Sequence, residues 1–468
     1  MNTHYPRLSL ADQSNLRIER PETPAHIAGL CIVEASPLLD EHGELDLTMI
    51  TRRLERRLGR VPALRRIVHP APPLCGPPLW VDDPRFSLDR HVHSLRLAPP
   101  GDETTLLTTA ELLLRPLLDR THPLWELWFL TGLDGGDRIS VLFKIHHAIA
   151  DGLAAVALIT ALLDLEPDTP DPPAQDWHPA PIPSAWTLLG DNLTRRLTAV
   201  GAMLAHPVRL ARTVSATIKD SLGFFHARQA AARTSLNALP GVGRRFRVVH
   251  LDLEAARTVA HEHGGKVNDV VLSVVTGGVR ELLLARGERV DGVELTTSVP
   301  AALRSAKTAR GELGNAAGAL LVRLPAGEAD AVRRLGRIAA NTRNAKAEQH
   351  PAYINGLFSW LAATRLALPM ARRQRFVNFF VTNVPGPRVP LYILGARIDD
   401  IVPVLGLAGN VTIMFAALSY GGHLTVLMSA DAAAYPDREA DVLAVGMRHA
   451  WEELIAPARV SIPPRQTA

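Results

Sequence analysis

Two adjacent histidines, an aspartate and a glycine make His146-His147-Ala148-Ile149-Ala150-Asp151-Gly152 the stretch of this chain best suited to chemistry. An imidazole exchanges a proton near neutral pH, because its ordinary pKa is ~6.5. Three uses of this HHxxxDG spacing compete. Neighbouring residues on an extended segment point to opposite faces, so His146 and His147 are poorly placed to hold one metal ion. His147 and Asp151 could be neighbours, but no third ligand is evident. A pair of histidines satisfied inside a core is the second use, and the tight Asp-Gly spacing argues against it. The third is a general base, which needs an orienting partner and an acidic proton to remove. Asp151 could order the site by bonding an imidazole or by an ion pair that fixes the turn. Gly152 permits close backbone approach or a positive φ.

The flanks place this motif at a strand-to-helix turn. Ile139 to Ile145 is an apolar, β-branched run that reads as a buried strand, and Leu153 to Ile159 reads as a helix. No Gly-x-Ser-x-Gly elbow occurs, and neither Cys31 nor Cys75 sits in a nucleophile context. That disfavours a covalent acyl-enzyme. A single displacement is simpler: the base activates a hydroxyl, which attacks an acyl group carried on a thioester.

The whole chain narrows the setting. At 468 residues, length favours two or more domains. A hydrophobic fraction of 47% supplies a large core, and 21% charged residues exclude a disordered chain. Lysine occurs only at Lys144, Lys219, Lys266, Lys307 and Lys346, so the basic character comes from arginine. No basic block is interleaved with aromatics, which excludes a nucleic-acid surface. Two cysteines make neither a disulfide framework nor a zinc site. The N-terminal residues lack the apolar core of a signal peptide. No uninterrupted apolar run reaches the ~18–20 residues of a transmembrane helix. The expectation is a cytoplasmic protein, soluble or peripheral at a membrane or lipid-body surface.

Along the chain, residues 1–165 alternate strand and helix patterns. Ile27 to Val33 reads as a strand, Asp46 to Leu58 and Thr104 to Arg115 as helices, and Trp125 to Gly132 as a strand. Residues 166–184 repeat proline and read as a stiff linker. Residues 185–460 resume the alternation, and 461–468 read as a frayed tail. Ala185 to Arg233 is helical in pattern. Its Arg195, Arg196, Arg209, Arg212, Lys219, Arg228 and Arg233 outnumber Asp191 and Asp220. It is either a solvated face or a basic surface for anionic lipid. Asn268-Asp269 opens a helix from Val270 to Arg286, and Asn268 suits a capping role. Helices are expected from Ala329 to Lys346, Tyr353 to Leu368 and Glu439 to Ile455. Phe376 to Thr382 reads as a strand, and Val411 to Ser419 with Leu424 to Ala430 as a hairpin about Gly421-Gly422.

His146-His147-x-x-x-Asp151-Gly152 resembles the active-site motif of coenzyme A-dependent acyltransferases, including chloramphenicol acetyltransferase-like and peptide-condensation domains. Further segments occur in order. They are Pro123-Leu124-Trp125-Glu126, Asn268-Asp269-Val270-Val271-Leu272, Gly314-Asn315 and Asn383-Val384-Pro385-Gly386-Pro387. With Ser9-Leu10-Ala11-Asp12, His26-Ile27-Ala28-Gly29, Trp80-Val81-Asp82-Asp83 and Ser419-Tyr420, the set resembles the bacterial wax ester synthase/diacylglycerol acyltransferase family across nearly the whole chain.

That resemblance implies an α/β fold of two chloramphenicol acetyltransferase-like subdomains with mixed sheets and a channel at their interface. It implies transfer of a long acyl chain from acyl-CoA to a diacylglycerol or fatty alcohol, with no bound cofactor. A lipid-binding paralogue without catalysis is the alternative of another class. His147 would accept the proton, framed by His146, Asp151 and Gly152. Asp151 would be mainly structural, paired with an arginine such as Arg304 after Val299-Pro300. Asn268 would shape or polarise the site beside Asp269. The loop Asn383 to Pro387, with Pro385 and Gly386, would line the channel. Trp125 is a substrate contact or core packing, and Asn315 lies on a motif that closes a turn. Three departures stand out: Ala302 replaces a small hydroxyl residue, Thr382 a commoner serine, and Thr425-Val426-Leu427-Met428 lacks a glycine. They bear on acceptor choice and efficiency.

Overall fold

The computed structural model describes residues 6–150, 152–174, 176–205, 231–302, 317–348, 369 and 372–460. Nine longer helices are described: α1 (Leu10–Ile18), α2 (Leu47–Arg57), α3 (Glu103–Leu113), α4 (Gly152–Thr160), α5 (Ala185–Ala205), α6 (Leu253–Glu262), α7 (Val267–Ala285), α8 (Ala331–Glu348) and α9 (Asp437–Val460). In the first half the strands are β1 (His26–Glu34), β2 (Arg66–His69), β3 (Leu79–Asp82), β4 (Val92–Arg96), β5 (Trp125–Leu133) and β6 (Arg138–His146). In the second they are β7 (Arg244–Asp252), β8 (Glu294–Ala302), β9 (Ala317–Pro325), β10 (Phe379–Pro385), β11 (Tyr392–Ile393), β12 (Ala396–Leu405), β13 (Ile413–Tyr420) and β14 (His423–Asp431).

Two six-stranded sheets organise the molecule. One runs β11-β12-β1-β6-β5-β4, the other β7-β14-β13-β10-β8-β9. Both are mixed: β4 pairs parallel to β5, and β10 pairs parallel to β8 and β13. The mixed α/β class expected from the sequence is therefore the observed one.

The sheets do not follow the division of the chain at 166–184. β12 pairs antiparallel with β1, from Ile27 opposite Leu405 to Val33 opposite Ile398, so the C-terminal half completes the first sheet. Sequence patterning misses β12 because Asp399, Asp400 and Pro403 interrupt its alternation. The Pro-rich segment carries no helix or strand among its described residues, and Asp171 is docked on α2 by Arg53 (2.8 Å) and Arg57 (2.9 Å).

One apolar core lies wholly in the second half, a second joins the first half to Leu391 to Ile398, Leu418 and Tyr420, and a third is likewise shared. Ala28, Leu30 and Ile32 on one face of β1 meet Val402, Val404, Phe246, Val248 and Leu427 from the second half. Polar ties reinforce this seam. Glu111 of α3 accepts a hydrogen bond from the Phe246 N–H (2.6 Å), and Thr425 Oγ1 donates to Asp400 (3.1 Å). Burying a carboxylate is tolerable where it accepts hydrogen bonds.

Several boundaries differ from expectation. α7 begins at Val267, and the Asp269 carboxylate, not Asn268, caps it by accepting from the Lys266 N–H (2.8 Å). β10 runs on to Pro385, so Asn383 and Pro385 belong to a strand and not to a loop. The expected helix from Tyr353 to Leu368 and the part of Ala185–Arg233 after Ala205 lie outside the described residues, apart from 231–233, which are neither helix nor strand.

Candidate active site

β6 delivers the two histidines, and its alternation separates them. Lys144 and His146 share a face, and both are fully buried. The Lys144 ammonium donates to the carbonyls of Leu113 (3.2 Å) and Pro116 (2.9 Å) and to Glu126 (3.3 Å), which ties β6 to the end of α3. Burial lowers its pKa, while Glu126 opposes the shift. His147, one residue beyond the strand, is half-buried.

Backbone bonds pin the turn. The His146 N–H donates to the Leu124 carbonyl (3.0 Å), and the His147 N–H to the Ala25 carbonyl (2.7 Å). This is the contribution of the Pro-Leu-Trp segment: Leu124 holds the strand end through its backbone. Trp125 is core. Its indole N–H donates to the Leu64 carbonyl (2.7 Å) and its ring stacks on His91 at 4.5 Å. It is 2% exposed, so the substrate-contact reading of Trp125 gives way to packing.

The His146 ring is hydrogen-bonded at one nitrogen and faces a carboxylate at the other. Nδ1 accepts from the Ala148 N–H (2.9 Å), which places the proton of the neutral ring on Nε2. Nε2 lies 3.3 Å from Glu19 Oε1, an electrostatic contact whose geometry falls short of a hydrogen bond. His26 stands opposite His146 in the β1–β6 register, with Nε2 3.7 Å from the same carboxylate oxygen. Burial, then the nearby Lys144 charge, pushes the His26 pKa down to about 3. For Glu19, burial raises the pKa, but His146, Arg120 (2.8 Å) and the Ala25 N–H (3.1 Å) outweigh it and hold the carboxyl at about 2. A charged carboxylate thus sits beneath the histidine pair.

Asn15 completes the support. Its amide donates to the His147 carbonyl (3.2 Å) and lies 3.4 Å from His147 Nδ1. Asn15 lies on α1, and Glu19 is that helix's C-terminal cap, four positions later. The Ser9-to-Asp12 spacing explains where this helix starts. Ser9 Oγ accepts from the Asp12 N–H (3.1 Å), and Asp12 accepts from the Ser9 N–H (2.9 Å), a reciprocal cap. Sequence reading missed Asn15 and Glu19. The capping spacing, with polar residues four apart behind it, was the available signal.

An apolar cavity of about 90 Å³ lies between the two sheets beside this turn. Ile27, Gly29 and Cys31 of β1, Ile145 of β6 and Ala155, Val156 and Ile159 of α4 line one side. Thr382 and Val384 of β10, Pro387, and Ala416 to Leu418 of β13 line the other. Of the segment Asn383 to Pro387, Val384 and Pro387 line this cavity. Asn383 and Pro385 are not part of the wall, because alternation turns them to the opposite face of β10 from Val384. Gly386 is required for packing: a Cβ there would stand 2.1 Å from the Ser419 carbonyl oxygen.

Of the other sequence-selected residues, Gly152 is the first residue of α4, Asn268 is half-buried at the second position of α7, and Asp269 is buried as its cap. Asp151, Arg304 and Asn315 lie outside the described residues. The turn thus holds a half-buried imidazole on a pinned backbone, and its neighbour in β6, Ile145, lines the apolar cavity.

The wax ester synthase/diacylglycerol acyltransferase catalytic domain matches residues 8–271, and the corresponding C-terminal domain matches residues 313–454. The chain belongs to the wax ester synthase/diacylglycerol acyltransferase family. It is thereby an acyltransferase. A relative from Mycobacterium tuberculosis, named "Probable diacyglycerol O-acyltransferase tgs1", is 33% identical over 92% of this chain and 91% of its own. The solved wax ester synthase/diacylglycerol acyltransferase of Marinobacter aquaeolei superposes with a TM-score of 0.68 at 24% identity, covering 97% of this chain and all of that one. The starter condensation domain of rhizomide synthetase, solved with C8-CoA and Leu-SNAC, gives 0.61 at 14% identity, covering 99% of this chain and 96% of that one. These two share the fold.

Proposed function

We propose that this acyltransferase moves a long-chain acyl group from acyl-CoA to the free hydroxyl of diacylglycerol, forming triacylglycerol. The acceptor O–H gives its proton to His147. The oxygen attacks the thioester carbonyl, the C–S bond breaks, and the proton passes to the departing CoA sulfur. No acyl-enzyme forms, acyl-CoA is a substrate, and no resident cofactor takes part. Asn268 polarises the thioester carbonyl near the N-terminus of α7, where backbone N–H groups favour developing negative charge.

The observation that carries this reading is the division of labour between the histidines. His146 is fully buried, its Nδ1 accepting from the Ala148 N–H and its Nε2 set against Glu19, whereas His147 is only half-buried. The named activity of the mycobacterial relative supports the acceptor.

Helix α5 supports contact with a lipid surface. Trp186, Leu193, Leu197, Val200 and Leu204 fall on one face and are between 51% and 81% exposed. The opposite face packs through Leu188, and Asp191 is tied back by Arg7 (2.8 Å) and Arg195 (3.1 Å). Exposed apolar stripes of this length mark interaction surfaces. Among the described residues no helix is long and apolar enough to cross a membrane, and the proposed contact is a peripheral one.

An acceptor panel tests the function. With hexadecanoyl-CoA, diacylglycerol should release CoA and yield triacylglycerol. Product only with fatty alcohol would make it a wax ester synthase, and binding without turnover on either would make it a lipid-binding protein.

A further inference from the structure

We infer that Gly29 sets how far an alkyl chain can run into the cavity, and so sets chain-length preference. The inference rests on the acyl-transfer reading. Gly29 lies mid-strand in β1, opposite Phe143 on one side and Pro403 on the other. Glycine weakens a strand interior, and such a position usually marks close approach of backbone or ligand. Among the described residues nothing makes that approach. Gly29 is buried, yet a Cβ placed on it would meet no atom of the described residues within 4 Å. The missing side chain is therefore open space inside the fold, not a packing requirement.

That space belongs to the cavity. Ile27 and Cys31, two positions either side and on the same face, line it, and Ala155 and Ile159 of α4 and Ala416 of β13 face it. A Cβ at position 29 would project into the lumen, and a branched side chain would extend further into it. The occupant with matching chemistry is a saturated alkyl chain, from the acyl donor or from the acceptor. Each methylene kept out of an apolar site costs about fourfold in binding.

Gly29→Val and the smaller Gly29→Ala are the variants, and both raise strand propensity. CoA release is measured with octanoyl- and hexadecanoyl-CoA at one diacylglycerol, then with octanol and hexadecanol at one donor. Binding of the two acyl-CoAs and of the two alcohols is followed in parallel by calorimetry. The long-to-short ratio of kcat/KM should fall at least ~10-fold in Gly29→Val, with Gly29→Ala between it and the parent. The arm that moves says whether donor or acceptor fills the tunnel. An unchanged ratio in both arms, including a uniform loss at all lengths, overturns the inference. A parent protein that binds acyl-CoA but turns nothing over defeats the acyl-transfer reading instead. A length preference in binding that Gly29→Val abolishes would then still support the alkyl tunnel.

Discussion

Glu19 Oε1 stands 3.3 Å from His146 Nε2, beneath a turn whose next residue, His147, is only half-buried. The carboxylate comes from the end of α1, and Asn15 of the same helix reaches the His147 carbonyl. One short helix thus contacts two consecutive histidines in different ways. His146 is locked by Ala148 and Glu19, while His147 is held through its backbone and through Asn15.

His147→Ala should lower turnover by at least ~10²-fold, the contribution expected of a general base. Circular dichroism and thermal midpoint should match the parent. Retained activity would remove His147 from the role of base.

Glu19→Gln keeps the shape and removes the charge. Loss of hydrogen bonds to a buried charged group should cost ~1–3 kcal/mol in denaturant unfolding. Its kcat should also fall, because the His146 frame loosens. A stable variant with unchanged kcat would make Glu19 a bystander.

Acid stability should fall in two stages. His26 in the unfolded chain takes a proton near its ordinary 6.5, but the folded site resists until about 3. Stability is therefore lost as pH drops from about 6.5 towards 3. Glu19, held at about 2 against an ordinary 4.5, adds a second loss as pH falls below about 4.5. His26→Gln should flatten the first stage and leave the second, read from urea unfolding at successive pH values. An identical profile would mean that His26 carries no linkage.

Leu197→Asp with Leu204→Asp places two charges on the exposed stripe of α5. Co-flotation with phosphatidylglycerol vesicles should drop several-fold, because each apolar side chain contributes ~1.5–3 kcal/mol when buried in lipid. Turnover of a soluble short-chain alcohol should persist. Unchanged flotation would exclude this helix from lipid contact.

Trp125→Phe leaves the Leu64 carbonyl without its buried donor. Unfolding free energy should fall by ~1–3 kcal/mol, with KM for acyl-CoA unaltered. A raised KM at parental stability would restore Trp125 as a substrate contact.

The chain's order of residues determined much of this protein directly. Local patterns such as the apolar run Ile139 to Ile145 and the hairpin about Gly421-Gly422 depend on neighbours in sequence, and so were legible there. The two histidines at a strand end were legible for the same reason, and alternation alone foretold that they would face different surroundings. Long-range pairing was not. That β12 completes the first sheet, that Glu19 lies beneath His146, and that Leu124 offers it a carbonyl all join segments distant in sequence. Trp125 and Gly29 mark the same limit. A tryptophan in a motif and a glycine in a strand carry no sign of what surrounds them. Only the packed structure turned one into core and the other into open space, because burial and volume are properties of assembled surfaces.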